Sequence, residues 1–131
     1  MTKAHLLGCL ALLSGCHSAL DESPEAAYRA FAAAANKGDE GVAFARLTSA
    51  SQQALRGRLA GLSAASGGSL REEAPSIVFR AGRGAPITAV QVLKKEQDRA
   101  TVAVNTGEAT REVTLRREGG EWRVEFPVTP P

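Results

Sequence analysis

The chain has 131 residues, enough for one domain of the commonest size and too few for two well-packed ones. Its apolar content of 44% with 23% charged residues is that of a folded protein. Sixteen basic against 14 acidic residues leave only +2, which argues against a dedicated nucleic-acid binder, because such a binder needs a basic face that displaces phosphate counterions.

In chain order, the first element is a leader. Lys3 precedes an apolar stretch from Ala4 to Leu13 that has the length of a signal-peptide hydrophobic region and is too short to span a bilayer as a helix. An ordinary leader cleavage site wants small residues at the third and first positions before the cut. Cutting before Cys16 would place Leu13 at the third position, and cutting after Ala19 would place His17 there, so neither fits.

Leu13-Ser14-Gly15-Cys16 instead resembles the lipobox of bacterial lipoproteins. The resemblance implies that residues 1–15 are a signal peptide, removed after the Cys16 thiol has been joined to a diacylglycerol, with a further acyl chain on the new amino terminus. Each buried methylene contributes about 0.8 kcal/mol, so two or more chains hold a protein stably on a membrane. Cys9 would leave with the leader and Cys16 would carry lipid, which leaves no pair for a disulfide. The leader also takes Lys3, which brings the mature chain to about +1. His17 and Ser18 stand where an Asp would favour inner-membrane retention in well-studied Gram-negative bacteria. By that sorting rule the expected location is the cell envelope, on the outer membrane facing the periplasm.

Residues 16–22 read as a polar tether, and 23–127 as a single domain. Ser23-Pro24-Glu25 opens a first helix: Ser caps free amides, Pro is preset for the first helical position and Glu suits the dipole. Tyr28, Phe31, Ala32 and Ala35 share its apolar face, and Asn36-Lys37-Gly38 ends it. Asp39 is expected to cap a short second helix through about Leu47. Ser49 with Gln52 has the capping-box spacing for a third, whose stripe would be Leu55, Leu59 and Leu62. "SAASGGS", residues 63–69, reads as a mobile loop that closes the helical half.

After Pro75 the pattern alternates and β-branched residues become frequent. Strands are expected over 77–80, 87–95, 99–105, 111–118 and 121–126. Turns are expected at Gln97-Asp98, Thr106-Gly107 and the hairpin pair Gly119-Gly120, where both residues can take positive φ. In "EWRVEF", Trp122, Val124 and Phe126 fall on one face and Glu121, Arg123 and Glu125 on the other. Residues 128–131 form a Pro-rich tail. The interleaved Arg111, Glu112, Arg116, Arg117 and Glu118 read as solvated strand faces.

Helices followed by antiparallel strands with one polar face make an α+β fold, the sheet covered on one side by the helices. The opening "SPEAAYRAFAAAANKGD" and the closing "GGEWRVEF" resemble recurrent features of the nuclear-transport-factor-2-like superfamily. That resemblance spans about 23–127 and implies a curved antiparallel sheet wrapped into a cone around the first helix.

Chemistry is sparse. Nucleophilic catalysis needs a base beside the nucleophile, yet the one histidine after the leader, His17, lies in the tether. No His or Cys cluster, calcium-loop spacing or phosphate-loop motif is present, so no catalytic or metal-binding residue and no cofactor other than the lipid on Cys16 is expected. "RAGRGAP", residues 80–86, offers amides and charge to an anion but reads first as a plain connection. Tyr28, Phe31 and Trp122 form the candidate pocket, in competition with a filled core.

Glu108, Glu112, Glu121 and Glu125 all face outward by alternation. The expectation is therefore a membrane-anchored envelope protein with a non-catalytic domain that binds a small ligand or an envelope protein. The superfamily resemblance also implies two alternatives: an isomerase- or dehydratase-like enzyme with an acid in the cone, or a homodimer formed through the sheet.

Overall fold

The computed structural model describes residues 22–68 and 86–126. Cys16, His17, the strand expected over 77–80 and all of "RAGRGAP" except Pro86 lie outside them. Three helices precede a four-stranded sheet: α1 (Pro24–Lys37), α2 (Glu40–Ala45), α3 (Ser49–Ala65), then β1 (Ala89–Lys95), β2 (Arg99–Asn105), β3 (Thr110–Glu118) and β4 (Glu121–Val124). The sheet is an antiparallel meander in the order β1-β2-β3-β4. This is the expected α+β class.

The first helix begins and ends where its sequence signals lie. Ser23 takes an extended conformation and its side chain accepts from the Ala26 amide, while Gly38 closes the helix with φ of 79°. Ala27, Tyr28, Phe31 and Ala34 are buried along one face. The second helix is shorter than expected, and Asp39 makes no side-chain cap.

The third helix is capped one residue earlier than its sequence suggests. Thr48 is the N-cap, its hydroxyl accepting from the Ser51 amide at 3.2 Å. Ser49 instead donates through its amide and hydroxyl to Glu118, and the Gln52 amide nitrogen turns back to the carbonyls of Phe44 and Leu47. The capping-box reading is therefore corrected: the side chains it needed are drawn to partners distant in sequence. The leucine stripe is corrected too. Leu55 is buried and Leu59 half-buried, but Leu62 is 45% exposed, so burial fades along the helix. The helix also runs through Ala65, into the segment expected as a loop.

The strands follow alternation. Ala100, Val102 and Val104 on β2, Leu115 on β3, and Trp122 and Val124 on β4 point to the helices and are buried. With Tyr28, Phe31, Ala43, Leu47 and Leu55 they form one core. The hairpin glycines have φ of 59° at Gly119 and 83° at Gly120, the left-handed conformation their position requires.

The outer edge of β4 is covered by the α2–α3 connection. Leu47 forms an isolated parallel bridge with Val124, in which Thr48 N donates to Val124 O and Val124 N donates to Arg46 O. Beyond β4, Glu125 N still reaches Thr114 O, and Phe126 N donates to Ser51 Oγ. These bonds fix the start of α3 against the end of the sheet and define one side of the space described next.

Candidate ligand cavity

A cavity of about 540 Å³ lies where α1, α3 and the ends of β3 and β4 meet. That is within the range of about 300–1,000 Å³ usual for small-molecule sites. Each wall has a local cause. Tyr28 and Phe31, three residues apart on α1, present neighbouring rings with centroids 6.0 Å apart and planes at 49°. Ala50 and Ala54, four apart on α3, form the facing wall with side chains too small to fill the gap. Val113 closes the sheet side, and Phe126, held by its amide to Ser51, closes the end.

Polar side chains make up half of the described lining: Tyr28, Ser51, Arg111, Glu112, Thr114 and Glu125. Arg111 stands two residues before Val113 and four before Leu115 on β3, so it shares their inward face. Its Nη2 donates to Tyr28 Oη at 2.8 Å. Among the described residues Arg111 makes no ion pair, and no group accepts the Tyr28 hydroxyl proton. Ser51 also lines the cavity, but its oxygen is committed: it accepts from Thr48 Oγ1 at 2.7 Å and from Phe126 N at 2.9 Å.

Two carboxylates border the mouth. Glu112 is exposed, and Glu125 is half-buried with Arg116 Nε 3.4 Å from its oxygen. Glu108 and Glu121 are exposed and are not part of the cavity. No Asp or Glu is buried among the described residues, so none stands inside the cavity as an acid or base. Nor do three metal-ligating side chains come together among them.

Of the three candidate pocket residues, Tyr28 and Phe31 line the cavity and Trp122 does not. Trp122 is 3% exposed and packs within the core, beneath the Arg117 guanidinium at 4.8 Å from the ring centroid. Its indole N–H has no acceptor among the described residues.

Arg111 and Arg116 are exposed, as expected of solvated strand faces, whereas Arg117 is half-buried; Arg111 and Arg117 nonetheless lie on the parity of the core, and each ends on an aromatic side chain. The signal was present in the phase of the strand: Arg111, Val113, Leu115 and Arg117 share one parity. Composition alone hid it.

A smaller cleft of about 230 Å³ lies at the β1–β2 turn among Lys94, Glu96, Arg99 and Thr101. There the Lys94 ammonium, 2.9 Å away, bonds to the Glu96 carboxyl and holds its pKa below the ordinary carboxylate value. Both side chains are mostly in water, and the cleft offers no apolar surface of consequence.

Among the described residues no helix is long and apolar enough to cross a membrane. Compared with models of known families, with curated proteins and with solved structures, the chain matches none.

Proposed function

We propose that this chain is a lipid-anchored binding protein of the bacterial cell envelope, whose α+β domain is a nuclear-transport-factor-2-like cone that receives a small ligand without transforming it. The observation that carries the binding reading is the cavity beside Tyr28, with an apolar wall of Phe31, Val113 and Ala54 and the Arg111 guanidinium at its polar side. The anchor reading rests on Leu13-Ser14-Gly15-Cys16 behind its short apolar leader. A binder is favoured because the Tyr28 hydroxyl and the Arg111 guanidinium meet as hydrogen-bond donors, and among the described residues no carboxylate or histidine bonds to either.

Two measurements test the two halves. Cells fed an alkyne-bearing palmitate should label the wild-type chain and leave Cys16→Ala unlabelled; equal absence of label in both overturns the anchor. N-phenyl-1-naphthylamine, a neutral apolar dye, should fluoresce on binding the full chain carrying Cys16→Ser. Ala54→Trp, at an exposed position on α3, should abolish that signal by filling the space. A signal unchanged by Ala54→Trp, or no signal with the parent chain, overturns the cavity.

A further inference from the structure

We infer that the cavity takes a monocarboxylate with an apolar body, its carboxylate held between the Arg111 guanidinium and the Tyr28 hydroxyl. This rests on the proposal that the cavity binds a ligand, and it names the class of that ligand.

The inference follows from unused donors. Tyr28 Oη accepts from Arg111 Nη2 at 2.8 Å, so its own proton points elsewhere, and no described group receives it. The guanidinium has five N–H groups, of which this bond uses one, and no carboxylate lies within ion-pair distance among the described residues. Two adjacent donors, one of them cationic, are complementary to an acceptor that is planar, two-oxygened and negative.

Tyr28 is 2% exposed, so its ring cannot swing out to find water, and its oxygen is held at a fixed place at the end of the cavity. A carboxylate there would receive the phenol proton on one oxygen and guanidinium protons on the other.

The remainder of the space selects the rest of the ligand. Phe31, Ala50, Ala54, Val113, Val124 and Phe126 form the apolar half of the described lining, which suits an apolar body, with Ser51 and Thr114 as the uncharged polar side chains beside them. Glu112 and Glu125 at the mouth set the charge. Arg116 offsets Glu125, so the Arg111 guanidinium, without an ion pair among the described residues, matches one negative charge, while Glu112 at the mouth penalises a second; a phosphate monoester is therefore a poorer fit than a carboxylate. Fatty acids and aromatic acids share this chemistry.

The test is displacement of N-phenyl-1-naphthylamine from the full chain carrying Cys16→Ser, with decanoate, decanol, decyl phosphate and 1-naphthoate as competitors. Decanoate should displace the dye, and Arg111→Gln should raise the decanoate concentration needed by about tenfold or more while moving that of decanol by less than about twofold. Tyr28→Phe, which keeps the buried ring, should weaken decanoate by a few-fold. Decyl phosphate should compete more weakly than decanoate. The ratio of 1-naphthoate to decanoate then distinguishes an aromatic from an aliphatic body.

If the dye binds and decanoate displaces it equally well from Arg111→Gln, the carboxylate inference is overturned and the cavity reading stands. Stronger competition by decyl phosphate also overturns it. If the dye fails to bind the parent chain, the cavity reading falls and the inference falls with it.

Discussion

Ser51→Ala is the substitution whose cost can be worked most directly from the geometry. Ser51 is 4% exposed, and its Oγ receives the Thr48 hydroxyl at 2.7 Å and the Phe126 amide at 2.9 Å. A methyl in its place leaves both donors without an acceptor. A hydrogen bond contributes about 1 kcal/mol net, and a buried orphaned donor costs about 1–3 kcal/mol. Phe126 is half-buried, so water relieves part of that cost, and the Thr48 hydroxyl can rotate. Alanine is also the better helix former, by about 0.5 kcal/mol or less. The expected loss is about 2 kcal/mol.

Ser49→Ala is the matched control, because it carries the same gain in helix propensity while removing one exposed bond to Glu118, whose carboxylate keeps the Ser49 amide at 3.0 Å. It should cost about 0.5 kcal/mol or less. With a urea slope of about 2 kcal/mol per molar, the unfolding midpoint falls by about 1 M for Ser51→Ala and by about 0.2 M for Ser49→Ala, at unchanged slope. Equal shifts would refute the assignment of Thr48 as the cap and Ser51 as the tie to the sheet, and would restore Ser49 to the role its spacing with Gln52 suggests.

Leu115→Ala, at a residue with no exposed surface in the middle of the sheet, should lower stability by about 2–5 kcal/mol in the same urea titration, whereas Leu93→Ala, 52% exposed, should change it by about 0.5 kcal/mol or less. Glu96 gives the pH expectation. Its folded-state pKa is depressed by the hydrogen bond from Lys94, so the pair's contribution is in place above the ordinary carboxylate range and is lost as pH falls through the lowered folded value. The pair lies in water, so the effect belongs in a site-specific measurement. Followed by carboxyl-carbon NMR, the Glu96 midpoint should rise towards the ordinary 4.5 in Lys94→Met, and a midpoint that does not move would refute the pairing.

Elements whose signals are local were legible from the residues alone. Ser23, Pro24 and Gly38 bracket α1 because caps act through bonds three or four residues long, and Gly119-Gly120 closes its hairpin because only backbone freedom is needed there. Alternation placed Trp122 and Val124 on one face for the same reason, and both are buried. What could not be read was any role that depends on an encounter across the fold. Ser49 has the spacing of a cap, but Glu118, distant in sequence and brought beside it by β3, takes its amide. Leu62 continues a helical stripe, but α3 keeps only Ser51 and Leu55 buried, and a stripe buries only where a partner surface follows it.

The candidate site was half legible for a related reason. Aromatic residues announce themselves by size, so Tyr28, Phe31 and Trp122 were natural choices for a pocket. Their places differ: Tyr28 and Phe31 border the cavity, while Trp122 stacks under Arg117 inside the core. Charge assigns Arg111 to solvent, and it is exposed, but charge does not show that its guanidinium reaches Tyr28. On parity it belongs with Val113 and Leu115, and an arginine in that company ends wherever a polar partner waits, here the Tyr28 oxygen.

Pocket and filled core therefore need not compete for Tyr28. Its ring packs with the other buried side chains, being 2% exposed, while the residue also lines the cavity and its hydroxyl bonds to Arg111. The room beside it comes from alanine. Abundant alanine looks at first like a weakness in a small domain, because each one buries little area. On α3, however, Ala50 and Ala54 stand one turn apart opposite Tyr28 and Phe31, and a leucine at either position would extend into the space they leave. Leu47, Leu115, Val102 and Trp122 belong with Tyr28 to the buried core and do not line the cavity. The same composition that limits the core thus keeps one end of it open, next to an arginine that pairs with no carboxylate among the described residues.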